Sequence, residues 1–270
     1  MRSALATLLL SLIALTLVGL GSSYSLLHAA SPEEFLLVSD RPGYADATAS
    51  VSPYHWHIEL GTDWTPAESI SWGGLVRFGL PRQFELRLAT PTFMQDFAVS
   101  TPLDPDPATP ELALGGASLG TKWSHQWSET SFSTSLMIGL PSQGISRSIY
   151  PDRLLSLSAQ LSHQLNQKMN TGIAVKYGLV DGTLEAQESQ YAEDLDHLFG
   201  VVGSIGWQEI DWSLFGQAGA ELFGERVTPL IGLGSTLRVS RMIQVDLSLD
   251  LLLTEEGVTP HLLSGATIGW

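Results

Sequence analysis

Between Tyr54 and Trp270 the chain divides into twelve segments, mostly 9–14 residues long, in which apolar and polar side chains alternate one by one. A period of two is the signature of a β-strand with differing faces. Tyr54–Thr65 places Trp56, Ile58, Leu60, Thr62 and Trp64 on one face and His55, His57, Glu59 and Asp63 on the other. Ser69–Leu80 sets Ile70, Trp72, Val76, Phe78 and Leu80 against Ser71, Leu75 and Arg77. Arg82–Thr90 opposes Phe84, Leu86 and Leu88 to Glu85 and Arg87. The pattern runs on through Ala113–Trp127, Ser131–Leu140, Arg153–Leu165, Asn170–Val180 and Asp196–Gln208. It closes with Ile210–Phe223, Thr228–Ser240, Arg241–Thr254 and Pro260–Trp270. The last residue is thus part of a strand, although chain ends usually fray and close on polar residues.

The connections are sorted by length. Joins from even to odd segments are tight: Pro81, Ser128–Thr130, Asn166–Met169, Glu209, and almost nothing between Ser240 and Arg241. Every long join runs from an odd to an even segment: Pro91–Leu112, Pro141–Asp152 and Asp181–Leu195. A soluble sandwich has no reason to sort its loops this way, whereas an outer-membrane barrel has short periplasmic turns and long outer loops. A spanning strand needs about 9–11 residues, and single-chain bacterial barrels have an even strand number. The expectation is an all-β chain forming an antiparallel transmembrane β-barrel of about twelve strands over residues 54–270.

Composition agrees. Charged residues are 15% of the chain, against roughly 25% in soluble domains. The formal charge of −15 excludes a nucleic-acid surface, and the absence of cysteine excludes disulfides and thiolate metal sites. Tryptophans sit on the apolar faces at segment ends. Trp127, Trp207, Trp212 and Trp270 fall on the short-turn side, and Trp64 and Trp72 flank the first outer turn. Amphipathic rings favour the membrane–water boundary, so these residues read as two girdles. The predicted partners are the lipid bilayer, lipopolysaccharide and the outer-membrane assembly machinery, the last through the C-terminal strand.

The N-terminus carries an export address. Met1-Arg2 precedes the apolar run ALATLLLSLIALTLVGL, Ala4–Leu20, and the chain then turns polar. This is the layout of a secretory signal peptide over residues 1–30, implying localisation in the bacterial outer membrane. Residues 31–53 do not alternate well. They read as a periplasmic lead-in, with a plug inside the barrel as the alternative; in the plug, Asp40 and Arg41 approach the inner wall and Arg41 reaches a carboxylate such as Glu59.

Three stretches carry a family likeness: SDRPGYADATASVSPYHWHIELG (Ser39–Gly61), GLVRFGLPRQFELRL (Gly74–Leu88) and LALGGASLGTKW (Leu112–Trp123). They resemble the outer-membrane transporter-like family named for the meta-pathway of phenol degradation. The likeness covers the first 90 or so mature residues. Gly43 stands where that family tends to carry Asp. The resemblance implies a barrel associated with uptake of small, often hydrophobic compounds, and it transfers no functional residues.

The candidate site is a group of charges on inward positions: Glu59, Arg77, Glu85, Arg87 and Lys122. Arg77, Glu85 and Arg87 stand on strands joined by a one-residue turn, close enough for a cross-strand cluster. Two readings are open. The cluster is a constriction that selects permeants, or it is a set of salt bridges filling a closed lumen. No catalytic residue, metal or cofactor is expected. Ser124–His125 and Ser162–His163 are adjacent pairs whose side chains point to opposite faces, so neither makes a nucleophile–base bond. The acidic outer loops read as solvated, since no loop has a defined calcium spacing. The function implied is passive transport of small molecules, with hydrophobic or aromatic compounds as the expected class; a non-transporting structural or surface-interaction barrel is the alternative.

Overall fold

The computed structural model describes residues 37, 39–40, 46–66, 68–96, 112–140, 153–181, 195–224, 226–254 and 257–270. The predicted signal peptide, Arg41 and most of the acidic loop carboxylates lie outside the described residues.

Fourteen strands are described: β1 (Trp56–Thr65), β2 (Ser69–Leu80), β3 (Phe84–Ala89), β4 (Phe93–Asp96), β5 (Leu112–Leu114), β6 (Ser118–Trp127) and β7 (Thr130–Gly139). They continue with β8 (Arg153–Gln164), β9 (Met169–Asp181), β10 (Leu195–Gln208), β11 (Trp212–Phe223), β12 (Arg226–Ser240), β13 (Ile243–Thr254) and β14 (Gly257–Gly269). Twelve of them form a closed antiparallel barrel, because β1 pairs with both β2 and β14. Closure gives each of these twelve strands a neighbour on both sides, as a spanning sheet requires. The seam ends on a reciprocal pair: Trp56 N donates to Trp270 O at 2.9 Å, and Trp270 N donates to Trp56 O at 3.0 Å.

The remaining two strands correct the expectation that Pro91–Leu112 is all loop and Ala113–Trp127 one strand. β4 pairs with the first half of β2, and β5 pairs with β4. The physical reason is a matched pair of breaks. Pro91 has no N–H for the ladder, and Gly115-Gly116-Ala117 interrupts the neighbouring strand. Phe93 pairs with Leu114 in the same register that pairs Leu88 with Leu119, so both strands change phase together. Against β2 the same break is a bulge: Thr90, Pro91 and Thr92 oppose Gly73 and Gly74. Two tight joins are also wider than read from sequence, because β11 begins at Trp212 and β13 at Ile243.

The outward faces are apolar and bare. Leu60, Leu86, Ile138, Leu214, Leu233 and Leu247 are each half exposed or more, although all lie within strands. Among the described residues the buried positions are held mostly by polar groups, including Arg77, Glu59, Glu85, Lys122, Ser133 and Gln160. This is a globular protein turned inside out, the distribution expected when the surrounding solvent is hydrocarbon.

Candidate functional site

Alternation on β1, β2, β3 and β6 delivers the predicted charges to one place inside the barrel. The ladder sets Arg77 opposite Arg87 and Glu85 opposite Lys122. Like charges facing across a ladder repel, so the two arginines need carboxylates between them. Glu85 supplies the first: Arg77 Nε donates to its Oε1 at 2.7 Å and Nη2 to its Oε2 at 2.8 Å. Arg77 Nη1 also donates to Glu59 Oε1 at 2.6 Å. The planar guanidinium fork matches two carboxylates at once, which an ammonium cannot do. Arg77, Glu59 and Glu85 have no exposed surface and Lys122 has 1%, so these charges are fully withdrawn from water.

The cluster is completed from outside the wall. Asp40, on the segment preceding β1, binds Arg87 Nη2, accepts a hydrogen bond from Lys122 Nζ at 2.9 Å and stands 3.5 Å from Arg77 Nη2. Its backbone N–H donates to Glu59 Oε1 at 3.1 Å. Burial alone would push the Asp40 carboxyl up. The charges of Arg77, Lys122 and Arg87 outweigh it and hold the group well below the usual carboxylate range. Asp46 follows the same logic, 3.2 Å from Arg87 Nη1 and 3.4 Å from Lys176 Nζ. Sequence reasoning did not select Asp46; its signal was only a second acid six positions after Asp40 in a stretch of small residues.

Residues 46–53 continue along the interior. Lys122 Nζ donates to Ala47 O at 2.6 Å, and Thr48 and Ser162 share a hydrogen bond of 3.0 Å. Ser50 N donates to Ser124 Oγ at 3.2 Å and Val51 N to Glu85 Oε2 at 2.9 Å. Gly79 is required where this segment passes: a Cβ there would lie 2.0 Å from Ser52 O. Ser39 accepts a hydrogen bond from Thr267 Oγ1 at 3.0 Å. The described part of the segment is thus held by β14, β1, β2, β3, β6, β8 and β9.

Other predicted residues fall elsewhere. Trp64, Trp72, Trp127, Trp207, Trp212 and Trp270 all face outward, each between 36% and 49% exposed. At the short-turn rim Trp207 Nε1 donates to Glu209 Oε1 at 3.1 Å, and Lys168 bridges the same oxygen at 2.7 Å. Ser124 and Ser162 point inward to Ser50 and Thr48. Their neighbours point away: His125 stacks between Trp123 and Trp127, and His163 bonds Thr130 at 3.0 Å. Asp250 accepts from Gln217 at 2.8 Å, and Asp63 lies 3.3 Å from His261, both remote from the cluster in the ladder. Among the described residues no group of three or more His, Cys, Asp or Glu could hold a metal ion.

No protein-family model matches the chain, and no curated protein matches it. Solved structures do. The COG4313 outer membrane channel from Pseudomonas putida F1 is 11% identical, with a TM-score of 0.58 over 85% of this chain and 99% of that one. The KdgM porin is 6% identical, with a TM-score of 0.55 over 78% of this chain and 98% of that one. The NanC porin is 9% identical, with a TM-score of 0.51 over 79% and 98%. At these identities the likeness is one of fold: this chain has the architecture of outer-membrane porins and channels.

Proposed function

We propose that the chain is an exported outer-membrane channel for small molecules, held closed by the segment 37–53 acting as a plug. One observation carries the reading. Asp40 bridges Lys122, and Asp40 and Asp46 bridge Arg87 beside the wall's own Glu85; neither aspartate belongs to a strand of the wall. Salt bridges confined to the wall would fill a lumen permanently. A cluster completed by a non-wall segment can be dismantled without breaking the barrel. The cluster is then a latch, and Arg87, Lys122 and Arg77 line the constriction that opens when Asp40 leaves.

The apolar outward belt and the outward tryptophans support a membrane setting, with lipid and lipopolysaccharide as surroundings. The alternating C-terminal strand ending on Trp270 supports recognition by the outer-membrane assembly machinery. The resemblance of Ser39–Gly61, Gly74–Leu88 and Leu112–Trp123 supports the transporter-like family as the relative, and small, largely apolar compounds as permeants. Nothing in the reading requires catalysis.

A second reading is favoured by the burial itself. With Arg77, Glu59 and Glu85 at 0% exposure, the barrel could be a non-transporting one whose lumen stays filled. Conductance in planar bilayers separates the two. The channel reading expects rare steps or none from the signal-free protein, and frequent discrete steps after deletion of Phe35–Ala49. Silence from both proteins, once shown to be folded and inserted, establishes the filled lumen.

A further inference from the structure

The outside of a barrel is convex, and packed alternating side chains leave it smooth. Here an open depression of about 520 Å³ is lined by Leu60, Thr62, Trp72, Gly74, Phe93 and Ser264. These residues lie on outward positions, as the exposure of Leu60 (56%), Trp72 (36%) and Phe93 (50%) shows. The bulge described above makes the cavity. Thr90 Oγ1 takes the Gly74 N–H at 2.9 Å in place of a ladder carbonyl, and Pro91 lines the depression with Phe93 at its edge. No lining residue is charged.

The floor is polar in an unusual place. Thr62 Oγ1 and Ser264 Oγ lie 2.8 Å apart on the outward face. Two hydroxyls that bond each other use one proton and leave the second free to donate. In hydrocarbon an unpaired hydroxyl proton costs free energy, so the pair is best matched by a neutral acceptor arriving from the membrane. Depth identifies the acceptor. Ser264, Thr62, Trp72 and Phe93 share one rung across β14, β1, β2 and β4, and Trp72 belongs to the girdle that marks the headgroup boundary. Lipid ester carbonyls sit at that level, directly above their acyl chains.

We propose that this cavity is a binding site for one lipid acyl chain, packed against Leu60, Trp72 and Phe93 with its ester carbonyl accepting from the Thr62–Ser264 pair. The site rests on the membrane setting proposed above but not on transport. The segment 37–53 and the charge cluster take no part in it.

The test uses the signal-free protein reconstituted in vesicles of phosphatidylcholine carrying a photoreactive diazirine in the upper acyl chain. Cross-links are mapped by mass spectrometry. Labelling concentrated on Leu60, Trp72 and Phe93 is expected. Ser264→Phe, which fills the cavity from an outward position, lowers that labelling about tenfold, equivalent to about 1.4 kcal/mol of site affinity. Leu233→Phe, outward but remote, leaves it unchanged. Should Ser264→Phe fold poorly, Thr62→Val removes one hydroxyl at nearly equal volume, and reduced labelling at Trp72 is again expected. Labelling spread evenly around the apolar belt, or unaltered by these substitutions, overturns the site. Protein–protein cross-links at these residues overturn it in favour of a second copy of the chain. A protein that never enters the vesicles refutes the membrane setting, a failure distinct from that of the site.

Discussion

Asp40 Oδ1 accepts a hydrogen bond from Lys122 Nζ at 2.9 Å across 82 residues of sequence, and only the second of these residues belongs to the barrel wall. Asp40 also holds Arg87 and stands beside Arg77, so one carboxylate from the N-terminal segment answers three wall cations. Removing it takes from Lys122 the carboxylate that bridges it, while Arg77 keeps Glu59 and Glu85 and Arg87 keeps Asp46 and Glu85. Asp40→Ala is expected to lower unfolding free energy by about 3–5 kcal/mol. It is also expected to raise channel-open probability in a planar bilayer. Stability lost with no gain in conductance would make Asp40 a structural group only.

Arg77 tests whether the wall cluster works as a unit. Arg77→Met strands Glu59 and Glu85 without their common partner, again an expected loss of about 3–5 kcal/mol in urea unfolding from lipid vesicles. Adding Glu59→Gln and Glu85→Gln removes the orphaned charges and should recover part of that loss, because contacting residues are non-additive. Arg77→Lys should rescue poorly, since the fork to two carboxylates is lost.

The pH dependence follows from the depressed carboxyl of Asp40, with Asp46 shifted in the same direction. A group whose folded pKa lies below its unfolded value binds fewer protons in the folded state. Its stabilisation is therefore complete above the unfolded value of about 3.9 and is lost as pH falls through the folded value. Plug release, read as conductance, should be flat from neutral pH down to about 4 and should rise only below it. A transition centred near neutrality would contradict the role given to Asp40.

Gly79 offers a test that changes no charge. A Cβ there meets Ser52 O at 2.0 Å and Val51 O at 2.6 Å, both backbone atoms of the plug. Gly79→Val should therefore push residues 50–53 off the wall while β2 keeps its pairing with β3. Increased protease access to the segment in a folded, heat-modifiable barrel is the expected result. An unchanged digestion pattern would show that the segment is not held at this point.

Much of the barrel was already legible in the order of residues, because in a two-sided sheet each side chain reports its own environment. The spacing of Trp56, Ile58, Leu60 and Trp64 needs no partner to be read, and neither does the sorting of short turns from long loops. The same alternation placed Glu59, Arg77, Glu85, Arg87 and Lys122 on the inner face. It also contained the break between β5 and β6, since Leu112 and Leu114 are out of phase with Leu119 and Trp123, a slip that a single segment hides.

What period two cannot encode is what meets what across the interior. The residues around Asp40 lack alternation, so nothing local says whether they hang below the barrel or enter it. Only closure of twelve strands brings Arg87, Lys122 and Lys176 to face one space, and only then do Asp40 and Asp46 find partners strong enough to outweigh their burial. The outward cavity has the same origin. Thr62 and Ser264 are 202 residues apart, and they become a hydroxyl pair solely because β1 and β14 close the seam. Faces are a property of local sequence; meetings between distant faces are a property of the closed sheet.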